Sequence, residues 1–459
     1  MTKWLDAALQ YIPDWLQFQM RQSEQPGCVV AIAHHGKLVI ETAFGHADLL
    51  AGAKLTPRHR FRVASHSKSF TAAGIMKLRE RGKLSLDAAV GTYVDGLHKR
   101  IADATVAQLL SHSAGIFRDG IDSGYWQERQ PFPDAAGLTE ALTLPPAIAA
   151  NTRFKYSNHS FALAGRVIEA LTGESYGAWI EREIVEPAGL AETQPDMPLP
   201  PRVKLARGHS GKWPLGRRFL HQSVTPTHAF AAATGFVSTA ADLVRFFAQL
   251  SPGAKASVLS VASRREMIRR HWREEHSSLG RHYGLGIISG DLTGAGVPTW
   301  AWFGHSGAFP GYISRTATAL EHGLTVSVLT NAIDGPAAFW LDGILHILRC
   351  FAVHGPPAKR LADWRGRWWT NWGAVDLVAA GAKVFVATPA FLNPLLDASE
   401  LQITGRDKGH IALAPGFGSH GEPVRLVRGK KGEVTELRFA GAKLLREGAM
   451  VAEMSARYR

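Results

Sequence analysis

Strand-like runs stand at both ends of the first 350 residues, and helical period fills the space between them. Residues 29–33 and 38–43 are short β-rich runs joined by His34-His-Gly-Lys37, the signature of a hairpin. Residues 300–306, 312–320 and 324–330 form a second group, separated by glycine-containing turns that suit an antiparallel meander. Between the two groups, helical period marks 65–81, 105–115, 158–171, 176–186, 240–250 and 261–272, with a further helix at 337–353 and one at 2–22 before the first strand. A sheet drawn from both ends of a segment with helices inserted in the middle is an α+β arrangement. The clearest linker is His354-Gly-Pro-Pro-Ala-Lys359. It divides the 459 residues into a first domain, 1–355, and a second, 356–459. The second carries a tryptophan cluster (Trp364, Trp368, Trp369, Trp372) and strand-like runs at 375–377, 383–387, 401–403, 410–413, 424–427, 433–439 and 442–445. Short strands so spaced predict a small all-β barrel or sandwich.

The formal net charge of +13 is spread along the chain with no nucleic-acid motif beside it, so solubility explains it better than a nucleic-acid partner. Two cysteines, Cys28 and Cys350, sit in apolar stretches without metal spacing and read as free thiols. No dinucleotide, phosphate-loop or zinc signature is present, so no cofactor and no metal are expected. The N-terminal segment reads as an amphipathic helix, not a cleaved leader, and no run reaches the length of a membrane span, so a cytoplasmic location is expected.

The chemistry-bearing residues fall in three places. Ser65-His-Ser-Lys68 stands at a helix start, where positions three apart share a face and a hydroxyl can meet an ammonium. A serine hydroxyl needs a base in contact, and a lysine serves only when neutral, or else by depressing the pKa of a phenol that does the work. Tyr156-Ser-Asn158 supplies that phenol ahead of a helix, with Ser157 or Asn158 as cap. Trp302-Phe-Gly-His305-Ser-Gly307-Ala308 is a strand in which glycine lets a substrate and a backbone N–H come close. The same four letters recur at Gly208-His209-Ser-Gly211, in an irregular basic segment, and His305 is the preferred candidate because it enters the meander.

Taken in order, Ser65-x-x-Lys68, Tyr156-x-Asn158 and His305-x-Gly307 resemble the class C β-lactamase superfamily, which includes penicillin-binding DD-peptidases, D-aminopeptidases, esterases and acyltransferases. Phe61-Arg-Val-Ala64, Leu109-Leu-Ser-His-Ser-Ala-Gly115 and the 235–243 run agree, and the resemblance covers about residues 10–353. It implies a β-lactamase/transpeptidase-like fold with Ser65 as the acylated nucleophile and Lys68 and Tyr156 as its proton shuttle. Asn158 would bind the substrate amide, and the backbone N–H groups of Ser65 and Ala308 would form the oxyanion hole. His305 stands where β-lactamases carry a lysine, which speaks against efficient β-lactam hydrolysis and resembles D-aminopeptidases. The trailing domain resembles the lipocalin-like barrel appended to such peptidases, in which a loop can enter the cleft; Pro415–Gly421 is the candidate loop.

The expected activity is therefore that of a serine hydrolase on short peptides or amino-acid amides, with D-configured ones included, and an esterase or acyltransferase as the alternative. A small-molecule or short-peptide substrate is the expected partner, and a homo-oligomer is left open. Two rivals remain. Gly304-His-Ser306-Gly-Ala308 approximates the nucleophile elbow of an α/β-hydrolase, although a strand and not a helix follows it. A non-catalytic ligand-binding or scaffold role is the other.

Overall fold

The computed structural model describes residues 2–458 apart from 213–214, 276–277, 295–296 and 416–417. Two units emerge: residues 25–341, and residues 1–24 together with 342–459. The division falls before the 354–359 linker, where the sequence suggested a boundary at 355. It does so because the first helix and the latter part of the Ala337–His354 helix pack with the C-terminal strands.

In residues 25–341, Gly27–His34 and Lys37–Asp48 form the expected hairpin. Gly27–His34 pairs on its other side with Leu324–Thr330, setting Val30 opposite Val328, so the two ends of the segment meet in the sheet. Outward from there the order is Tyr312–Ala319, Trp300–Phe309, Ile288–Leu292, His282–Tyr283 and Trp272–Arg273; Ala53–Lys54 edges the other side. All pairings are antiparallel. Helical period at 261–272 overreached: the helix stops at Ile268, and Trp272 is drawn into an edge strand by pairing with Tyr283. Tertiary pairing overrode a local pattern here.

Of the helices inserted between the strands, Ala240–Leu250 packs on the sheet, and the Ser67–Glu80 and Asn158–Thr172 helices pack on each other. The Ser67–Glu80 helix is held by Phe70, which stacks between Phe236 and Phe246 at centroid distances of 4.3 and 3.9 Å. Eleven of its 14 residues are buried, the polar Ser67, Lys68, Ser69 and Thr71 among them. It therefore offers a rigid mount for whatever its N-terminal turn carries.

In the second unit, eight strands from Gly366–Thr370 to Ala442–Leu445 close into an antiparallel barrel. Its interior is filled by Trp364, Trp368, Leu377, Leu401, Ile411 and Leu437, among others. The Gly366–Thr370 strand, made from the tryptophan cluster, and the exposed terminal helix Glu447–Arg457 had no clear sequence signal. The Lys3–Ser23 helix joins this unit through Tyr11, whose hydroxyl donates to Asp376 at 2.9 Å, and Gln19, which donates to the Pro389 carbonyl at 2.6 Å. Cys28 and Cys350 are both free. The Ala337–His354 helix, 18 residues with mean hydropathy 1.2, does reach the length and composition of a membrane span, contrary to the sequence reading; 56% of it is buried within the protein, as in a core helix. In the Pro415–Gly421 loop, Gly416 and Phe417 lie outside the described residues.

Candidate active site

Ser65 lies in a tight turn, Ala64–His66, that leads directly into the Ser67–Glu80 helix. The turn is forced. Ala64 has φ +46°, a left-handed conformation that costs a non-glycine residue on the order of 1–3 kcal/mol and persists only where the surroundings impose it. The restraints are visible on both sides. The Val63 N–H donates to the Phe236 carbonyl at 3.0 Å, the Ser67 hydroxyl donates to the Ala64 carbonyl at 2.6 Å, and the Phe236 N–H donates to Ser67 Oγ at 3.0 Å. From the sheet side the Trp300–Phe309 strand closes against the turn at Gly307, where a Cβ would lie 2.1 Å from the Val63 carbonyl oxygen. Only glycine fits; the sequence pointed to close approach of a substrate at Gly307, and the approach seen here is that of the Val63 backbone.

Two groups converge on Ser65 Oγ. The Tyr156 hydroxyl donates to it at 2.7 Å, and Lys68 Nζ lies 3.1 Å away. Lys68 is fully buried and its Nζ also donates to Asn158 Oδ1 at 2.7 Å and to the Ala233 carbonyl at 2.8 Å. Those two partners are obligate acceptors, so they consume two N–H bonds. Burial holds the Lys68 pKa well below the ordinary lysine range; Asp119 opposes this and Arg118 adds to it. When Lys68 is neutral, with its two N–H bonds spent on carbonyls, its one lone pair is left for the serine hydroxyl 3.1 Å away. Burial pushes the Tyr156 phenol upward, so it stays protonated at neutral pH. Of the alternatives open in the sequence, this arrangement favours Lys68 as base and Tyr156 as acid.

Tyr156 is itself fixed by His112. The N–H groups of Lys155 and Ser157, on either side of it, donate to the His112 carbonyl at 2.7 Å and to His112 Nδ1 at 3.1 Å, and the two rings stand 4.1 Å apart. His112 is buried and supports the phenol. Ser157 caps the Asn158–Thr172 helix, accepting from the Ser160 N–H at 3.0 Å. Replacing Tyr156 by phenylalanine should lower kcat by about 10²–10⁴, the usual contribution of a general acid–base group. A near-wild-type rate in steady-state assays would leave Lys68 as sole proton carrier.

Asn158 was expected to meet the substrate amide. Here its Oδ1 accepts from Lys68 and its Nδ2 donates to Asp119 Oδ1 at 2.6 Å, so the side chain bridges the lysine to a carboxylate. Asp119 also accepts from Trp126 Nε1 at 2.8 Å, which fixes its position. Sequence reasoning missed Asp119, since it stands in a turn-rich stretch with no motif around it. Asp119→Asn keeps an acceptor for Asn158 but removes the charge that raises the Lys68 pKa. The acidic limb of the kcat/KM profile should therefore move to lower pH. An unmoved limb would show that the carboxylate does not act on Lys68.

His305 is a buried residue of the cavity lining. Among the described residues, its hydrogen-bond partners are Tyr283, at 2.9 Å from Nε2, and the Ser306 backbone, and not Ser65, Lys68 or Tyr156. Burial, then His66 and Lys68, hold its pKa well below the usual histidine range, so the ring is neutral. The second Gly-His-Ser-Gly copy is elsewhere: His209 is buried, bonded to the Asn331 carbonyl at 2.9 Å and accepting from the Leu49 N–H at 3.1 Å. Ser306 sits within an extended strand followed by another strand, Tyr312–Ala319, and its Oγ accepts from Arg315 at 3.2 Å. A nucleophile elbow needs a strand-to-helix turn, and none is present at Ser306.

Above these groups opens a cavity of about 750 Å³. Ser65, Tyr156, Asn158, His305, Gly307 and Ala308 all line it, while Lys68 lies beneath. Trp126, Phe154 and Phe309 give it aromatic walls, and Arg118 and the Arg281–Glu274 ion pair, at 2.7 Å, add charge. Among the described residues, no group of three His, Cys, Asp or Glu side chains is arranged to hold a metal ion.

Comparison with known proteins follows the same line. A family profile described as Beta-lactamase matches residues 12–346. Esterase EstB of Burkholderia gladioli is 26% identical over 356 residues, 68% of this chain and 87% of its own. The structure of an octameric penicillin-binding protein homologue from Pyrococcus abyssi superimposes with a TM-score of 0.65 at 22% identity, covering 95% of this chain and 100% of that one. D-amino acid amidase from Ochrobactrum anthropi SV3, complexed with D-phenylalanine, superimposes with a TM-score of 0.63 at 22% identity, covering 74% and 98%.

Proposed function

The chain belongs to the beta-lactamase family and is a serine hydrolase, and from that premise we propose that it cleaves short peptides or amino-acid amides through an acyl-enzyme on Ser65. In this reading neutral Lys68 takes the Ser65 proton as Oγ attacks the carbonyl carbon. The backbone N–H groups of Ser65 and Ala308 receive the oxyanion. Tyr156 gives its proton to the departing nitrogen, and the Lys68 ammonium resupplies the phenol. Water then attacks the acyl-enzyme with the same groups working in reverse.

The observation that carries the amide reading is the protonated phenol 2.7 Å from the nucleophile. An amine leaving group must be protonated as it departs, whereas an alkoxide needs this less. The aromatic cavity walls suit an apolar acyl group. The O. anthropi neighbour is a D-amino acid amidase, which supports D-configured amides among the substrates. Neutral, buried His305 offers no cation to a β-lactam carboxylate, so β-lactams are poor substrates in this reading. Esterase activity is the second reading, supported by the resemblance to EstB. Assembly into a homo-oligomer is a further expectation, supported by the octameric P. abyssi homologue and checked by sedimentation.

The deciding assay compares D- and L-alanine p-nitroanilides with p-nitrophenyl acetate and butyrate, using Ser65→Ala protein as control. Ser65-dependent amide cleavage supports the proposal, and preference for the D form supports its stereochemical part. Ester cleavage without amide cleavage replaces it with the esterase reading.

A further inference from the structure

A second cavity, of about 440 Å³, lies wholly within the unit made by residues 1–24 and 342–459. Its walls are the Lys3–Ser23 helix and the outer face of the first two barrel strands. Along Gly373–Ala380, Leu377 and Ala379 belong to the barrel core, whereas Asp376 and Val378 alternate to the other side. The size falls within the range of small-molecule sites.

Its charged groups are not balanced among themselves. Asp376 is buried and saturated: Arg367 donates to it from Nε and Nη2, both at 2.8 Å, and the Tyr11 hydroxyl donates at 2.9 Å. Arg367 is thereby neutralised. Two other guanidiniums reach the same cavity without an acidic partner among the described residues. Arg446 lies over the Trp368 ring, 3.8 Å from its centroid, and donates only to backbone: the Arg367 carbonyl at 2.9 Å and the Arg365 carbonyl at 3.4 Å. Arg365 has a buried Nε with no hydrogen-bond partner. Against these two cations stands one carboxyl group, Asp14, whose pKa is raised by burial. The rest of the lining includes apolar Ala7, Phe351, Pro357 and Val378.

A buried donor without an acceptor is unfavourable, and the fork of a guanidinium matches the two oxygens of a carboxylate. We propose that this cavity is a ligand site for a small monocarboxylate with an apolar body, the carboxylate held by Arg365 and Arg446 and the body resting on Phe351, Pro357 and Val378. Asp14 at the same cavity disfavours a dianion such as phosphate. The site is made from residues outside the hydrolytic centre, and it stands whether the substrate is an amide or an ester.

The test is calorimetric titration of the full-length protein, with Ser65 first blocked by a fluorophosphonate so that the hydrolytic cavity is closed to the probe. Octanoate should bind once per chain, and octylamine and inorganic phosphate should not. Arg365→Gln, confirmed as folded by circular dichroism, should weaken octanoate by about tenfold or more, as expected for loss of a charge-assisted contact. Ala7→Leu, which intrudes into the cavity while leaving both arginines, should weaken it as well. Absence of saturable octanoate binding, equal binding of octylamine or phosphate, or unchanged affinity in both folded variants would each overturn the proposal.

Discussion

Ser65→Ala should reduce turnover by about 10⁶, the scale seen when a serine nucleophile acting within a coupled unit is removed. The reasoning is local. Ser65 Oγ is the point on which Tyr156 and Lys68 converge, at 2.7 and 3.1 Å, so it is the hydroxyl placed to lose its proton and attack. Alanine leaves the phenol and the amine facing each other across an empty position. Residual catalysis would come only from binding and backbone N–H donors. Folding should hardly notice, because Lys68 keeps Asn158 and Ala233, and the turn keeps its Ser67 and Phe236 contacts. The loss of one hydroxyl's hydrogen bonding is worth about 0.5–1.5 kcal/mol. The measurement is intact-protein mass spectrometry after a fluorophosphonate, alongside steady-state rates and a thermal melt. Wild type should gain one adduct and the variant none. An adduct persisting in Ser65→Ala would move the nucleophile elsewhere, with Ser306 the first to be checked.

Much of this was legible because each motif carries its own backbone requirement. Ser65-x-x-Lys68 needs a helix, and apolar residues through Leu78 supply one. His305-x-Gly307 needs a strand, and Trp300–Phe309 supplies it. The sheet strands within residues 27–48 and 300–330 could likewise be read from β-rich runs, whereas the strands at Trp272–Arg273, His282–Tyr283 and Ile288–Leu292 could not. What stayed hidden depends on long-range contact. Asp119 matters only because the 117–119 loop is tied to the Asn158 helix: the Asn158 N–H donates to the Arg118 carbonyl at 2.8 Å, and Ser157 Oγ donates to the Phe117 carbonyl at 2.6 Å. His112 matters because its backbone and ring clamp both neighbours of Tyr156. Tyr283, two residues beyond an ion-paired arginine, shows no sign in sequence that it reaches His305. Asn158 lines the cavity, and what the sequence did not show is that its carbonyl accepts from Lys68. The first helix joined the C-terminal unit for a similar reason: Tyr11 and Gln19 find partners more than 300 residues away in the chain, beyond any local pattern.

Lys68→Met should abolish nearly as much activity as the serine variant while making the protein more stable, and the pairing of those two effects is what identifies a buried neutral base. Methionine fills a similar volume, offers no lone pair of comparable basicity, and brings no charge to desolvate. The rate should fall by about 10⁴–10⁶, in the range of triad members other than the nucleophile. The stability argument follows from the direction of the pKa shift. Burial lowers the Lys68 pKa in the folded state below its ordinary value of 10.5. Between those two pKa values the unfolded chain holds a proton that the folded protein lacks, so wild-type stability rises with pH across that interval. Below the folded pKa the lysine is charged in both states, and the full cost of burying it remains. Lys68→Met removes this pH dependence and the cost with it, offset in part by the Asn158 and Ala233 carbonyls left without their donor. Denaturant unfolding measured on both proteins from neutral to alkaline pH should show the variant more stable at neutral pH and the difference shrinking as pH rises. The wild-type kcat/KM should fall on the acid side as Lys68 takes up its proton, since the ammonium has no lone pair for Ser65. If the variant is less stable at every pH, or if wild-type activity shows no acid limb, Lys68 works as a charged neighbour of Tyr156, and the phenol becomes the base.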